Sequence, residues 1–122
     1  MTERSTIPEQ LRAERIIELG QLTLRSRREG AVHTIALTGE MDLSNAADVE
    51  RALLHAEATD AATILLDLSG LQFMDSTGIR LLICADARSR ADSDRLRLTR
   101  PPAQVFRVLC IAGIDELLPF AD

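Results

Sequence analysis

The stretch Thr63-Ile-Leu-Leu-Asp-Leu-Ser-Gly-Leu-Gln-Phe-Met-Asp-Ser-Thr-Gly-Ile-Arg-Leu-Leu-Ile83 decides the fold of this chain of 122 residues. It begins with a continuous apolar run, Ile64 to Leu66, which is typical of a strand buried on both faces of a parallel sheet. The pair Ser69-Gly70 breaks this run, and a short apolar loop is predicted from Leu71 to Met74. The stretch therefore opens with a buried strand that leads into a loop.

A cluster of polar and hydroxyl side chains, Asp75-Ser76-Thr77-Gly78, follows the predicted loop. Apolar residues then recur at the spacing of one helix face, at Ile79, Leu82, Ile83 and Ala87. A serine at this junction lies where a helix leaves its first backbone N–H groups unpaired. By local chemistry alone, Ser76 is therefore more often a helix cap than a regulatory residue.

The run Asp67-Leu-Ser-Gly-Leu-Gln-Phe-Met-Asp-Ser-Thr-Gly-Ile79, extended to Leu82, resembles the signature of STAS domains of the anti-sigma-factor antagonist family. The resemblance covers about residues 20 to 118. In that family the first serine after the aspartate is phosphorylated, and it corresponds to Ser76. Thr77 is a neighbouring hydroxyl that spacing does not exclude as a second acceptor.

A second strand-to-helix turn, Gly39-Glu40-Met41-Asp42-Leu43-Ser44-Asn45, precedes this stretch. It resembles the family's Gly-Glu-Leu-Asp loop, whose aspartate lies near the phosphorylated serine and corresponds here to Asp42. The simpler interpretation is that Asp42 or Ser44 caps the next helix. Because both turns follow neighbouring strands of a predicted parallel arrangement, we expect them to emerge at the same edge of the sheet.

These two turns are predicted to form one partner-binding face around Ser76. Its predicted members are Asp42, Ser44, Asn45, Met74, Asp75, Thr77, Gly78 and Ile79. A phosphate on Ser76 adds about −1.5 to −2 charge at neutral pH, which would repel an acidic or apolar partner surface. Arg80 is a solvated helix side chain, a partner for that phosphate, or a residue that alters which protein partner is accepted.

The other elements follow from apolar periodicity and turn residues along the chain. Residues 1–19 are predicted as a helical N-terminal extension, and residues 20–122 as the STAS domain. Strands are predicted at 21–25, 32–38, 62–68 and 95–99, a last short strand at 117–118, and helices at about 44–59, 77–90 and 101–112. The prediction is an α/β fold with a mixed sheet, in which an entry β-hairpin precedes alternating helices and strands.

Members of the family usually carry a further helix after the last strand. This helix is expected to be missing here, because the chain ends at Asp122. The predicted N-terminal helix is expected to cover the surface that the missing helix leaves bare.

Composition limits the function classes. The chain has 46% hydrophobic and 27% charged residues, which is ordinary for one globular domain. A net charge of −5 argues against direct nucleic-acid binding, since phosphates favour a basic face. No apolar run approaches the roughly 18 residues of a membrane span, and the N-terminus lacks the apolar core of a signal peptide. We therefore expect a cytoplasmic protein without membrane contact.

No metal site, cofactor or catalytic group is predicted. Cys84 and Cys110 lie on apolar stretches of predicted helices, and we interpret them as small core residues. His33 and His55 have no metal-ligand spacing and are predicted at the surface. No His or Cys lies beside a plausible nucleophile, and no glycine loop for phosphate is present, so an enzyme is not predicted.

The family resemblance implies a function in partner switching. The unphosphorylated form would bind and sequester an anti-sigma factor that is also a serine kinase, and would thereby release a sigma factor. Phosphorylation at Ser76 would end this complex, and a serine phosphatase would restore it. The alternative is a STAS scaffold or subunit of a stress-signalling or lipid-transport assembly that binds a partner without a phosphorylation cycle. A homodimer is compatible with either function, and the sequence also leaves open a weak nucleotide site at the acidic turns.

Overall fold

A computed structural model describes residues 14–121, which form a five-stranded sheet and three helices. The strands are β1 (Glu14–Leu19), β2 (Leu22–Glu29), β3 (Val32–Met41), β4 (Thr63–Met74) and β5 (Leu96–Thr99). The helices are α1 (Leu43–Glu57), α2 (Ser76–Ala91) and α3 (Ala103–Ala112). None of the helices within residues 14–121 is long and apolar enough to cross a membrane.

The sheet is mixed, with the strand order β1-β2-β3-β4-β5. The first three strands are antiparallel neighbours, whereas β4 pairs in parallel with both β3 and β5. Helices α1 and α2 provide the crossovers that two parallel pairs require. The predicted mixed α/β fold is therefore confirmed. The antiparallel part of the sheet has three strands, whereas a two-stranded hairpin was predicted.

The predicted N-terminal helix is wrong for Glu14–Leu19, which is strand β1. This strand pairs antiparallel with β2, and Ile17 lies opposite Leu24. The connecting turn contains Gly20, whose φ of 69° suits a tight turn. The segment has good helix formers, but pairing with a neighbouring strand outweighs weak helix propensity. The rest of the predicted helix, residues 1–13, lies outside the described residues.

One hydrophobic cluster joins the sheet to the helices. Its sheet residues include Leu22, Leu24, Ile35, Leu37, Leu66 and Leu98, and its helix residues include Val49, Leu53, Leu82 and Leu109. All of these side chains are nearly or fully removed from solvent. Each fully buried aliphatic side chain contributes about 2 kcal/mol to folding, so this cluster supplies most of the force that holds the helices on the sheet.

The predicted loop from Leu71 to Met74 is wrong, because β4 continues through it. The pairing of β4 with β3 shifts register twice, and β4 carries one extra residue at each shift. Such bulges let a strand accept residues that break its alternation. Gly70 lies at the first shift, where a Cβ would come within 2.8 Å of the Thr38 hydroxyl oxygen. With these two extra residues in β4, strands β3 and β4 end at the paired residues Met41 and Met74.

Asp67 stabilises the first of these two bulges through hydrogen bonds. Its Oδ1 accepts hydrogen bonds from the Ser69 N–H at 3.0 Å, the Ser69 hydroxyl at 2.7 Å and the Thr99 hydroxyl at 2.6 Å. Burial alone would raise the pKa of Asp67, but the hydrogen bonds from Thr99 and Ser69 outweigh it and lower the pKa from its ordinary 3.8. The ionised carboxylate therefore stabilises the fold.

We predict that Asp67→Asn lowers the free energy of unfolding by about 1 kcal/mol at pH 7, because charge-assisted hydrogen bonds are stronger than neutral ones. Since the folded-state pKa is lowered, this stability is present above the unfolded pKa and is lost as pH falls through the folded value. Urea unfolding from pH 7 to pH 3 should show wild type and variant converging in acid. A difference that stays constant across this range would contradict the prediction.

The predicted strand at 117–118 is also wrong. The chain instead returns to the sheet at Phe120, which forms an isolated parallel bridge with Leu98 of β5. The rings of Phe106 and Phe120 meet edge to face at 5.6 Å, and the Arg100 guanidinium lies 4.7 Å from the Phe106 ring centre. These contacts fix the end of the described chain against α3.

The predicted burial of the cysteines is wrong. Cys84 on α2 and Cys110 on α3 are both exposed, because the stripe that each helix buries lies on its other side. His55 is exposed as predicted, whereas His33 is half-buried and its Nε2 lies 2.8 Å from the Ser26 hydroxyl. Burial lowers the pKa of His33 from its ordinary value, and the charge of a nearby arginine adds to this effect.

Candidate functional site

The two strand-to-helix turns lie side by side at the carboxyl edge of the parallel strands. Strands β3 and β4 end at Met41 and Met74, which are directly paired. One residue further, the Asp75 N–H donates to the Met41 carbonyl at 3.4 Å. Because α1 follows β3 and α2 follows β4 at the same edge of the sheet, the N-termini of the two helices share one surface.

Asp42, rather than Ser44, caps helix α1. Its Oδ1 accepts hydrogen bonds from the Ser44 N–H at 2.9 Å and the Ser44 hydroxyl at 2.6 Å. In return, the Asp42 N–H donates to Oδ1 of Asn45 at 3.0 Å, which completes a capping box. Asp42 is half-buried, and Ser44 is exposed beside it.

Asn45 has a structural role that corrects its place on the predicted partner-binding face. Its side chain is only 2% exposed. Its Nδ2 donates to the Glu40 carbonyl at 3.0 Å and to the Leu19 carbonyl at 3.4 Å. Asn45 therefore ties the turn before α1 to the end of β1, and a partner does not reach it.

Asp75, rather than Ser76, caps helix α2. The Asp75 Oδ1 accepts hydrogen bonds from the backbone N–H groups of Thr77 at 2.9 Å and Gly78 at 3.4 Å. Ser76 is the first residue of the helix and is exposed. Within residues 14–121, its hydroxyl has no hydrogen-bond partner. The interpretation of Ser76 as a cap is therefore wrong, and its hydroxyl points to solvent without a structural task.

Met74 and Gly78 are buried, which corrects their place on the predicted partner-binding face. A Cβ on Gly78 would come within 2.3 Å of the Met74 Cγ and 3.0 Å of the Met41 Cε. The lack of a side chain at Gly78 thus lets the first turn of α2 pack directly on the methionines that end the two strands. Met74 and Gly78 therefore support the predicted partner-binding face from the protein interior and are not part of its surface.

Two exposed apolar residues of this region were missed in the sequence. Leu43, the first residue of α1, is 78% exposed, and Phe73 near the end of β4 is 47% exposed. Leu43 lies outside the apolar stripe of α1, and this spacing could have indicated from the sequence that its side chain is exposed. Phe73 gave no such signal, because its outward direction depends on the second bulge in β4.

We define the switch face as eight exposed or half-exposed residues around the end of β4 and the starts of α1 and α2. They are Asp42, Leu43, Ser44, Phe73, Asp75, Ser76, Thr77 and Ile79. The face combines exposed apolar side chains with hydroxyls and two carboxylates that are engaged in helix capping. Exposed apolar groups next to polar ones are typical of a surface that binds another protein.

An ion-pair cluster fixes the two helices relative to each other. The Arg88 guanidinium on α2 contacts Glu57 on α1 at 2.9 Å and Glu50 at 2.6 Å. The hydrogen bond to Glu57 is the largest cause that raises the pKa of Arg88 from its ordinary value. Because Arg88 bonds both carboxylates, it links α1 to α2 near the C-terminal end of α2, away from the switch face.

We predict that Asp75→Ala lowers the free energy of unfolding by about 1 kcal/mol, because two N–H groups at the start of α2 lose their acceptor. Asp92→Ala is a matched control, since it removes an exposed carboxylate at the opposite end of the same helix. That control should be neutral or slightly stabilising, because an acid is unfavourable at a helix C-terminus. Urea unfolding of both variants tests this, and equal losses would contradict it.

Comparison with known proteins finds a matching family profile and relatives that are named as anti-sigma factor antagonists. A sequence profile described as Mlab, STAS domain, matches residues 24–119. The anti-sigma-F factor antagonist RsfB of Mycobacterium tuberculosis is 30% identical over 95 residues, which are 78% of this chain and 77% of that protein. The anti-sigma-B factor antagonist of Listeria monocytogenes is 27% identical over 84 residues, which are 69% of this chain and 74% of that protein.

Solved structures show the same fold. An anti-sigma factor antagonist from Mycobacterium paratuberculosis superposes with a TM-score of 0.66 at 20% identity, over 81% of this chain and 84% of that chain. The unphosphorylated form of the anti-sigma factor antagonist SpoIIAA gives a TM-score of 0.62 at 21% identity, over 90% of this chain and 89% of that chain. The chain therefore belongs to the STAS domain family, and anti-sigma factor antagonists are among its relatives.

Proposed function

We propose that this chain is a cytoplasmic anti-sigma-factor antagonist that acts by partner switching. Its unphosphorylated form binds an anti-sigma factor with serine kinase activity through the switch face, and a sigma factor is thereby released. The kinase phosphorylates Ser76, the complex dissociates, and a serine phosphatase restores the binding form. The chain is the substrate in this cycle and supplies no catalytic group. The names of its curated relatives support this assignment.

The exposed hydroxyl of Ser76 is the observation that carries the proposal. It stands on the first turn of α2, and Asp75 holds the backbone of that turn. A kinase can therefore reach this hydroxyl without opening the helix. Thr77 is half-buried, whereas Ser76 is exposed, so Ser76 is the better acceptor of the two.

The effect of the phosphate follows from what surrounds it. The helix keeps its cap after modification, because Asp75 rather than Ser76 provides it. The phosphate instead changes the surface, where it adds about −1.5 to −2 charge to the face that also carries the exposed apolar groups of Leu43 and Phe73. A partner that covers these groups would have to strip water from a dianion, which favours dissociation.

Partner capture tests this function. Wild type, Ser76→Ala and Ser76→Glu are used as baits in lysate of the native organism, and the retained proteins are identified by mass spectrometry. Wild type and Ser76→Ala should retain an ATP-binding kinase of the anti-sigma type, and Ser76→Glu should not. If all three baits retain the same proteins, the interface is static and the scaffold alternative replaces the switch.

A further inference from the structure

The N-terminus of α2 offers a phosphate on Ser76 few free donors. A helix N-terminus normally binds an anion through its unpaired N–H groups. Here the Thr77 and Gly78 N–H groups donate to the Asp75 carboxylate, and the Ile79 N–H donates to the Asp75 carbonyl at 3.2 Å. Few backbone donors are therefore left for the phosphate, and a cationic side chain is the better source of counter-charge.

Arg80 is placed to supply that charge. It is exposed and lies four residues after Ser76 in the same helix, so the two side chains share one face. Within residues 14–121, the Arg80 guanidinium has no ion pair or hydrogen bond. The other two arginines of α2 already form ion pairs, since Arg88 contacts two glutamates and Arg90 contacts Asp86 at 3.0 Å.

We propose that Arg80 binds the phosphate of phosphorylated Ser76 within the same molecule. This inference rests on the proposed function in one respect, namely that Ser76 is the phosphate acceptor. An anion that precedes a cation by four residues is the favourable order along a helix, and a planar guanidinium matches phosphate oxygens with two parallel hydrogen bonds.

This pairing would give phosphorylation two effects on the switch face. It adds negative charge at Ser76, and it also neutralises the positive charge that Arg80 otherwise presents to a partner. A partner with acidic groups opposite Arg80 would lose an attraction and gain a repulsion in the same step. A glutamate at position 76 reproduces this only in part, because it carries one charge and no tetrahedral set of oxygens.

The test uses the full chain carrying phosphoserine at position 76 by genetic encoding, so that no kinase is needed. The second pKa of the phosphate is measured by 31P NMR in low-salt buffer for the parent protein, Arg80→Gln and Arg107→Gln. Arg107 is an exposed arginine on α3, and its substitution removes the same net charge. The pKa should rise by about 0.3 to 0.7 unit in Arg80→Gln relative to the parent, and Arg107→Gln should match the parent. Equal values for the parent and Arg80→Gln would overturn the proposal.

The same samples separate this inference from the proposed function. Binding of the captured kinase is measured with the phosphorylated parent and with its unphosphorylated form. Equal affinities would reject the switch at Ser76, while a shifted phosphate pKa would still support the role of Arg80. Loss of binding with no pKa shift would reject the role of Arg80 and leave the switch in place.

Discussion

Phosphorylation of Ser76 should weaken binding of the anti-sigma partner by about a hundredfold or more. Unfavourable charge placement in a protein interface costs several kcal/mol, and each 1.4 kcal/mol corresponds to about tenfold in affinity. The phosphate would lie on the same face as exposed apolar side chains that a partner is expected to cover. Titration calorimetry with the captured partner measures the two dissociation constants directly.

Two variants at the same position serve as controls for this experiment. Ser76→Ala should bind within a few-fold of wild type, because the Ser76 hydroxyl has no hydrogen-bond partner within residues 14–121. Ser76→Glu should lie between wild type and the phosphorylated protein, since it carries a single charge. Tight binding by the phosphorylated form would show that Ser76 lies outside the partner interface.

Gly39→Ala should lower the free energy of unfolding by about 3 kcal/mol or more. Gly39 has a φ of 111°, and a Cβ there would lie 2.2 Å from the Gln21 carbonyl oxygen. That carbonyl cannot retreat freely, because it accepts a hydrogen bond from the Glu40 N–H at 3.0 Å. Strained backbone and steric overlap each cost about 1 to 3 kcal/mol. Urea unfolding measures the loss, which would also disturb the turn that leads to Asp42.

Gly30→Ala is the matched control for this substitution. Gly30 also has a positive φ, of 59°, but a Cβ there would have nothing within 4 Å. Its substitution should cost about 1 kcal/mol, which is the price of a left-handed conformation alone. If both variants lose the same stability, close packing at Gly39 does not contribute.

The order of elements around the switch could be predicted from the sequence because its signals are local. The apolar run of β4, the hydroxyl cluster and the helical spacing after Ser76 lie within one continuous stretch. The N-terminal strand could not be predicted in the same way. Glu14–Leu19 contains good helix formers, and its strand conformation depends on pairing with β2.

The membership of the site could be predicted only in part, because burial at a strand-to-helix junction depends on the neighbouring junction. Asp42, Asp75 and Ser76 lie at the same edge of the sheet, as their positions after parallel strands predicted. Met74 and Asn45 point inward, because the adjacent turn and the end of β1 cover them. Phe73 points outward through a bulge that only the pairing of β3 with β4 creates.

The most direct test of the account is to map the phosphate acceptor. The purified chain is incubated with the captured kinase and ATP, and the modified residue is located by tandem mass spectrometry. We expect a single phosphate on Ser76, which is absent in Ser76→Ala and retained in Thr77→Ala. Phosphate on Thr77 of the wild-type chain, or no transfer to the chain at all, would contradict the central claim that Ser76 is the switch.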